Sequence, residues 1–190
     1  MIKIEASPRE AAPVSEGFAL WNLGFRPFYL LSSVFASSSI LLWICQYSGH
    51  LPSELLRSPV WHGHEMLFGY TMGVVAGFLL TAVTNWTGRP TATHGALMGL
   101  TALWVAGRVL VLTPFPIVAA IVNVAFPVAL AFGIGRAVVQ SGNRRNYFFL
   151  ALLVLLGLAV AAFHLAHLDV LPWPERASLQ VGLDVILFIM

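Results

Sequence analysis

The chain has 190 residues, of which 58% are hydrophobic and only 9% are charged, whereas an ordinary soluble domain is about 25% charged. A chain with a mean hydropathy of +0.84 cannot bury that much apolar surface, so the composition excludes a soluble enzyme and predicts that lipid surrounds the fold. The net charge of +2 at pH 7 is too small and too dispersed for a face that binds nucleic acid.

Long apolar runs predict how the chain crosses the membrane. A helix needs about 20 apolar residues to span about 30 Å of hydrocarbon. We therefore predict an all-α fold, a polytopic transmembrane helix bundle with five spanning helices and the start of a sixth, as a single membrane domain over residues 1–190. The predicted helices cover about residues 28–46, 64–84, 95–113, 115–135 and 147–168, with a partial helix at 179–190.

The basic residues outside the spans predict the orientation of the bundle. Seven fall on one side of the predicted membrane: Lys3, Arg9, Arg26, Arg89, Arg136, Arg144 and Arg145. Only Arg57 and Arg176 fall on the other side. By the positive-inside rule, the N-terminus and its polar tail, residues 1–17, are expected in the cytoplasm.

Small residues predict how the second helix packs. Gly69, Gly73 and Gly77 recur every four residues and form one flat ridge, which is typical of close helix packing in membranes. In the fourth helix, Pro127 removes a backbone donor, and Asn123 is expected to satisfy polar groups at the resulting kink. We assign these two residues no chemical role.

Ionisable residues inside predicted spans are the candidate functional groups, because each is costly in lipid unless it is paired. Six of them lie towards the outer ends of helices: His62, His64, Glu65, Arg108, His164 and His167. Two helices far apart in sequence thus bring imidazoles to one depth. His164 and His167 are three residues apart, so they project about 60° from each other and can face one partner.

The histidines of the second helix are spaced differently. On a regular helix, His62 and His64 project about 200° apart and cannot share one ligand. His62 shares a face with Glu65 and Met66. That face offers a carboxylate to orient the ring and a thioether as a soft metal ligand.

Two interpretations of the histidines remain open. Imidazoles from facing helices hold haem iron in helix bundles, and imidazole with thioether suits copper, so one interpretation is a metal site. The candidate metal ligands are then His62, His64, His164, His167 and Met66, with Glu65 orienting a ligand. In the other interpretation the histidines bond to carbonyl groups and lipid headgroups at helix ends.

Arg108 also has two interpretations. Its side chain either reaches the outer surface or forms an ion pair with Glu65 or Asp184. Alternatively, it binds an anionic cofactor group such as a haem propionate. A different function, a proton- or ion-coupled transporter, would use His62, Glu65, Arg108 and Asp184 as its pathway.

Several sequence blocks resemble the NnrS family of bacterial membrane proteins. They are LWNLGFRPF at 20–28, WHGHEMLFG at 61–69, AGFLLTAVTNWTGRP at 76–90, NRRN at 143–146 and FHL at 163–165. The resemblance covers the chain from residue 18 to about residue 168 and corresponds to the N-terminal half of the family's longer chains. It implies a multi-pass protein of the bacterial inner (plasma) membrane.

The resemblance also implies cofactors and a biological role. NnrS proteins are described as containing haem and copper and as linked to nitric oxide metabolism or resistance to nitrosative stress. By that resemblance, His62 and His64 are the expected cofactor-binding residues, with His164 next and His167 after it. Arg108 is a further cofactor-binding candidate because of its charge. Membrane lipid, nitric oxide, a second copy or the C-terminal half of the family are the expected partners. The resemblance does not assign an enzymatic reaction, and a scaffold without its own chemistry remains an alternative.

Overall fold

The computed structural model describes residues 19–50, 59–142 and 144–190. Short 3₁₀ turns at Ala19–Asn22 and Arg144–Asn146 precede two of its helices. The helices are α1 (Phe25–Tyr47), α2 (Pro59–His64), α3 (Met72–Thr87), α4 (His94–Leu110), α5 (Pro116–Ser141), α6 (Tyr147–His167) and α7 (Glu175–Ile189). Within these ranges the fold is all-α, as predicted. The N-terminal tail, which includes Lys3 and Arg9, lies outside the described residues. Arg57 also lies outside them.

The second bundle member is one continuous composite helix, Pro59–Thr87. It consists of α2, a π-helical segment at Glu65–Thr71 and α3. It begins at Pro59, five residues before the predicted start at residue 64, because proline is well tolerated in the first turn of a helix. His62 and His64 both lie in the first two turns of this helix.

The number of membrane-spanning helices is smaller than predicted. In the described residues, four helices are long and apolar enough to cross a membrane: Phe25–Tyr47, Pro59–Thr87, Pro116–Ser141 and Arg144–His167. The prediction of five spans and the start of a sixth is wrong in this respect. The helix predicted at 95–113 is α4, which has only 17 residues. It ends at Leu110 because the chain turns there, ahead of Pro114 and Pro116. The segment predicted at 179–190 is the 15-residue α7, which already begins at Glu175.

Close packing along the composite helix brings the bundle together. Its glycine ridge faces α1 and α4. A Cβ atom at Gly73 would collide with the hydroxyl of Ser32 and lie 3.2 Å from the Trp104 ring, and one at Gly77 would lie 2.9 Å from the Tyr29 ring. The ridge is therefore the packing surface that the spacing predicted. Further along the chain, α5 packs on α4 and α6, and α7 packs on α6.

Candidate functional site

The candidate site lies where the composite helix begins and α6 ends. The π-helical segment starts at Glu65, and the hydroxyl of Thr71 donates to the carbonyl of Met66 at 2.8 Å. Local π-helical turns are rare and are frequently found at functional sites. His64 and Glu65, although adjacent in sequence, are both turned into the protein, and each is only 1% exposed.

A chain of hydrogen bonds connects these two residues to α4 and α5. His64 Nδ1 donates to Glu65 Oε1 at 2.8 Å, and Arg108 Nη1 donates to Glu65 Oε2 at 2.6 Å. Arg108 Nη2 donates to Asn123 Oδ1, and Asn123 Nδ2 donates to the carbonyl of Ala119 at 2.8 Å. The network therefore joins three separate bundle members through their polar side chains.

The Arg108 side chain forms an ion pair inside the protein and does not reach the outer surface. It is 8% exposed, and its guanidinium carbon lies 5.9 Å from the centre of the Phe35 ring. Ion pairing with Glu65, one of the interpretations of the sequence, is therefore confirmed. A buried charge is tolerated only when it is paired and hydrogen-bonded, which explains why Glu65 and Arg108 are found together.

The carboxylate of Glu65 also determines which nitrogen of His64 is free. A paired carboxylate accepts hydrogen bonds, so the Nδ1 of His64 carries a proton, and in the neutral form of the ring the lone pair is then on Nε2. That Nε2 is buried and has no hydrogen-bond partner among the described residues. A ring held through one nitrogen by a carboxylate, with the other nitrogen free, is the usual arrangement of a histidine that binds a metal.

His164 on α6 lies beside His64. The two ring centres are 5.1 Å apart, and the rings are nearly perpendicular at 78°. His164 is 6% exposed, and its Nε2 atom is also buried without a hydrogen-bond partner in the part of the chain that the structure describes. The Phe163 ring packs against His64, with 4.6 Å between ring centres. The sequence expectation that these two segments lie together thus matches the geometry.

Both imidazoles line one small cavity of about 110 Å³. Its other walls are mostly apolar and include Val60, Leu110 and Val111. An engineered apolar cavity of about 150 Å³ can hold benzene, whereas pockets for cofactor-sized ligands are typically about 300 Å³ or larger. The cavity therefore has room for a metal ion with a small ligand such as a diatomic gas.

His167 lies at the rim of this cavity. Its side chain is 49% exposed, and its Nδ1 atom lies 2.8 Å from Glu175 Oε1. Both residues line the cavity. His164 and His167 thus line the same cavity, as their spacing predicts, but about half of the His167 side chain is exposed.

Two candidate residues of the composite helix lie apart from the cavity lining. The His62 ring stacks on Trp43 of α1, with 4.9 Å between ring centres and an interplanar angle of 20°. Met66 is absent from the described residues that line the cavity. Glu65 bonds to the neighbouring His64 in the structure, so His64 is the ring that this carboxylate orients.

The residues of the transporter hypothesis are only partly brought together. Glu65 and Arg108 are paired, but Asp184 lies exposed on α7 and accepts a hydrogen bond from Gln180 Nε2 at 3.0 Å. His62 stacks on α1. These four residues do not form one continuous pathway among the described side chains.

A known protein family matches most of this chain. The family described as NnrS protein matches residues 19–190. The chain belongs to the NnrS family. With its four long apolar helices, this NnrS chain is a membrane protein, as the composition predicted. Neither the curated proteins nor the solved structures gave a match.

The NnrS resemblance implies two metal cofactors, and the site fits them differently. Two buried imidazole nitrogens on neighbouring rings that line one cavity suit copper, for which imidazole is a good ligand. No group of three or more His, Cys, Asp or Glu side chains lies close enough to hold a metal ion in the described ranges, so the site offers a pair of ligands. The cavity does not fit haem, since its 110 Å³ is well below the size of a cofactor pocket.

One residue of the network was not recognised from the sequence. The sequence predicts that Asn123 satisfies polar groups at the Pro127 kink, whereas in the structure it accepts a hydrogen bond from Arg108 and belongs to the same buried network. It is 5% exposed. The available signal was that a polar side chain near the middle of an apolar helix usually bonds to another helix. Arg108 was the obvious partner, because it is also an isolated polar residue in an apolar helix.

Proposed function

We propose that this NnrS-family membrane protein binds copper through His64 and His164 and handles nitric oxide at that site. The observation that carries the proposal is the pair of buried Nε2 atoms, without a partner among the described residues, on two neighbouring rings whose residues line one cavity. Leaving a buried polar atom unpaired costs about 1–3 kcal/mol. Two such atoms on neighbouring rings therefore favour a shared ligand.

The surrounding residues have distinct positioning roles in this proposal. Glu65 holds the proton of His64 on Nδ1 and thereby leaves the lone pair of Nε2 available to a metal. Arg108 balances the charge of Glu65 and fixes its carboxylate, and Asn123 fixes Arg108 in turn. Hydrogen-bonded partners of this kind typically change metal affinity by about 10–100-fold.

The apolar walls supply the second part of the proposed function. Nitric oxide is a small apolar gas that dissolves in the membrane, and the cavity is lined by Val60, Leu110 and Phe163 beside the two imidazoles. Copper, when bound, would supply a centre that coordinates the gas and exchanges electrons with it. The protein holds the ligand rings in place and keeps bulk water away from them.

Copper titration of the detergent-purified protein tests this proposal. The expected stoichiometry is about one copper ion per chain, and we expect His64→Ala and His164→Ala each to weaken affinity by at least about tenfold. His94→Ala is the matched control, because His94 begins α4 at the opposite end of the bundle. Equal affinities in all three variants, or no copper binding by the parent protein, would refute the proposal.

A further inference from the structure

A second groove lies at the opposite end of the bundle, where the composite helix ends at Thr87 and α6 begins at Tyr147. It has a volume of about 570 Å³ and is open to the outside. Its lining consists of Trp86, Arg145, Asn146, Phe148 and Phe149. None of these residues takes part in the histidine cavity, so the groove is a separate feature.

One of the residues that line this groove, Asn146, has a buried side-chain amide. Asn146 is only 7% exposed, and its Nδ2 atom has no hydrogen-bond partner within the described residues. A buried N–H donor without a partner is costly, and most such groups in proteins bond to an acceptor. The groove therefore has an unused donor that is suited to an oxygen atom of a ligand.

The groove is also electrostatically positive. Asn146 is the residue before the 21-residue α6, and in the described part of the chain no side chain caps the N-terminus of this helix. Helix N-termini carry a partial positive charge and bind phosphate groups. Arg145 lines the same groove, and its side chain carries a full positive charge. The three features together favour a phosphate.

Aromatic rings form the remaining wall. Trp86 stacks on Phe149, with 5.0 Å between ring centres and an interplanar angle of 28°, and Phe148 is 51% exposed. Tryptophan and other amphipathic rings concentrate at the level of lipid headgroups. An apolar wall next to a phosphate-binding group matches a molecule that has an apolar portion and a phosphate. Free phosphate lacks the apolar portion.

From these observations we infer that this groove binds an anionic phospholipid, with the headgroup phosphate at Asn146 and Arg145 and the apolar part along Trp86 and Phe149. Basic pockets between membrane helices bind acidic headgroups elsewhere. This inference is independent of copper, because the two sites share no lining residue. It concerns the side of the bundle that the arginine distribution predicts to be cytoplasmic.

Lipid binding to the full chain in detergent tests the inference. Native mass spectrometry would compare phosphatidylglycerol with phosphatidylcholine of the same acyl chains. We expect the parent protein to bind phosphatidylglycerol more tightly, and Arg145→Gln to weaken that binding by about tenfold. Arg136→Gln is the matched control, since it removes the same charge from an exposed position on α5 and should cost at most about twofold because the charge is screened.

A second variant tests the geometry of the groove without changing its charge. Asn146→Leu should weaken phosphatidylglycerol binding by about fivefold, since one hydrogen bond to a charged group is lost. Equal losses in Arg145→Gln and Arg136→Gln would overturn the inference and indicate diffuse attraction. Displacement of the lipid by millimolar inorganic phosphate would overturn it in another way, by identifying free phosphate as the ligand. Arg145 is exposed, so its variant remains informative even if Asn146→Leu does not fold.

Discussion

Glu65 and Arg108 form an ion pair inside the bundle, with 2.6 Å between Glu65 Oε2 and Arg108 Nη1, although 43 residues separate them in sequence. The pair joins the π-helical segment of the composite helix to α4. Because the other carboxylate oxygen accepts from His64, the pair also fixes the orientation of the candidate metal ligand. Stability and site geometry therefore depend on the same interaction.

Removing one member of this pair should destabilise the protein strongly. Arg108→Met leaves the carboxylate of Glu65 buried without its counter-charge, and losses of about 3–5 kcal/mol are typical when a buried pair is broken in this way. The measurement is the free energy of unfolding in detergent, obtained from denaturant titration. Arg136→Gln, at an exposed position, should lie within about 0.5 kcal/mol of the parent.

The double variant Glu65→Leu with Arg108→Met tests how much of this loss in stability comes from leaving one buried charge unpaired. Apolar residues of similar volume often replace a buried ion pair at little cost, because no charge then remains to be compensated. We expect the double variant to be more stable than Arg108→Met alone. A double variant whose losses simply add would show that the two side chains do not interact energetically.

Gly73 should not tolerate even a methyl group. A Cβ atom there would collide with the hydroxyl of Ser32 and approach the Trp104 ring to 3.2 Å, and overpacking typically costs about 1–3 kcal/mol. We expect Gly73→Ala to lower the thermal midpoint of unfolding in detergent. Gly99→Ala is the control on α4, because its added Cβ would meet no other described atom within 4 Å.

In that control, alanine should be neutral or slightly stabilising, by up to about 1 kcal/mol, since alanine is the better helix former. Equal effects of the two substitutions would mean that the glycine ridge does not support close packing. This result would also remove the structural reason for the four-residue spacing of glycines.

The sequence predicts the glycine ridge and the depth of the histidines, because the spacing of residues along a helix determines the direction in which each side chain points. The same rule holds for His62 and His64, which lie on the regular α2 and point in different directions: His62 stacks on Trp43 and His64 lines the cavity. The sequence does not predict the π-helical segment at residues 65–71. Apolar composition could not reveal this local change, since π-helical and α-helical turns have similar hydropathy.

The contribution of α4 was predicted only in part. Hydropathy indicated a span over 95–113, whereas the helix ends at Leu110, and the polar partner of Arg108 on α5 was not identified. Arg108 was nevertheless recognised, because an arginine in an apolar helix requires a partner. The sequence offered Glu65 and Asp184 as alternatives, and only the three-dimensional arrangement distinguishes them.

His62 and His64 should differ sharply in copper affinity, although only one residue separates them. His62 stacks on Trp43, whereas His64 lines the cavity. We expect His62→Ala to change copper affinity by less than about threefold and His64→Ala by at least about tenfold. Competitive titration against a copper chelator would measure both values. The reverse order would transfer the proposed ligand role to His62.

The orientation of the bundle can be tested with reporters on opposite ends. Gly142 follows α5 in a left-handed conformation, with φ of +67°, and Arg136, Arg144 and Arg145 lie close to it in sequence. The positive-inside rule places this turn in the cytoplasm. A fluorescent protein fused after Gly142 should therefore fold and fluoresce, and alkaline phosphatase at the same position should be inactive.

Fusions after Val170, which follows α6 at the other end, should give the opposite pair of results. An active phosphatase after Gly142 would reverse the orientation and move the proposed lipid groove to the outer leaflet.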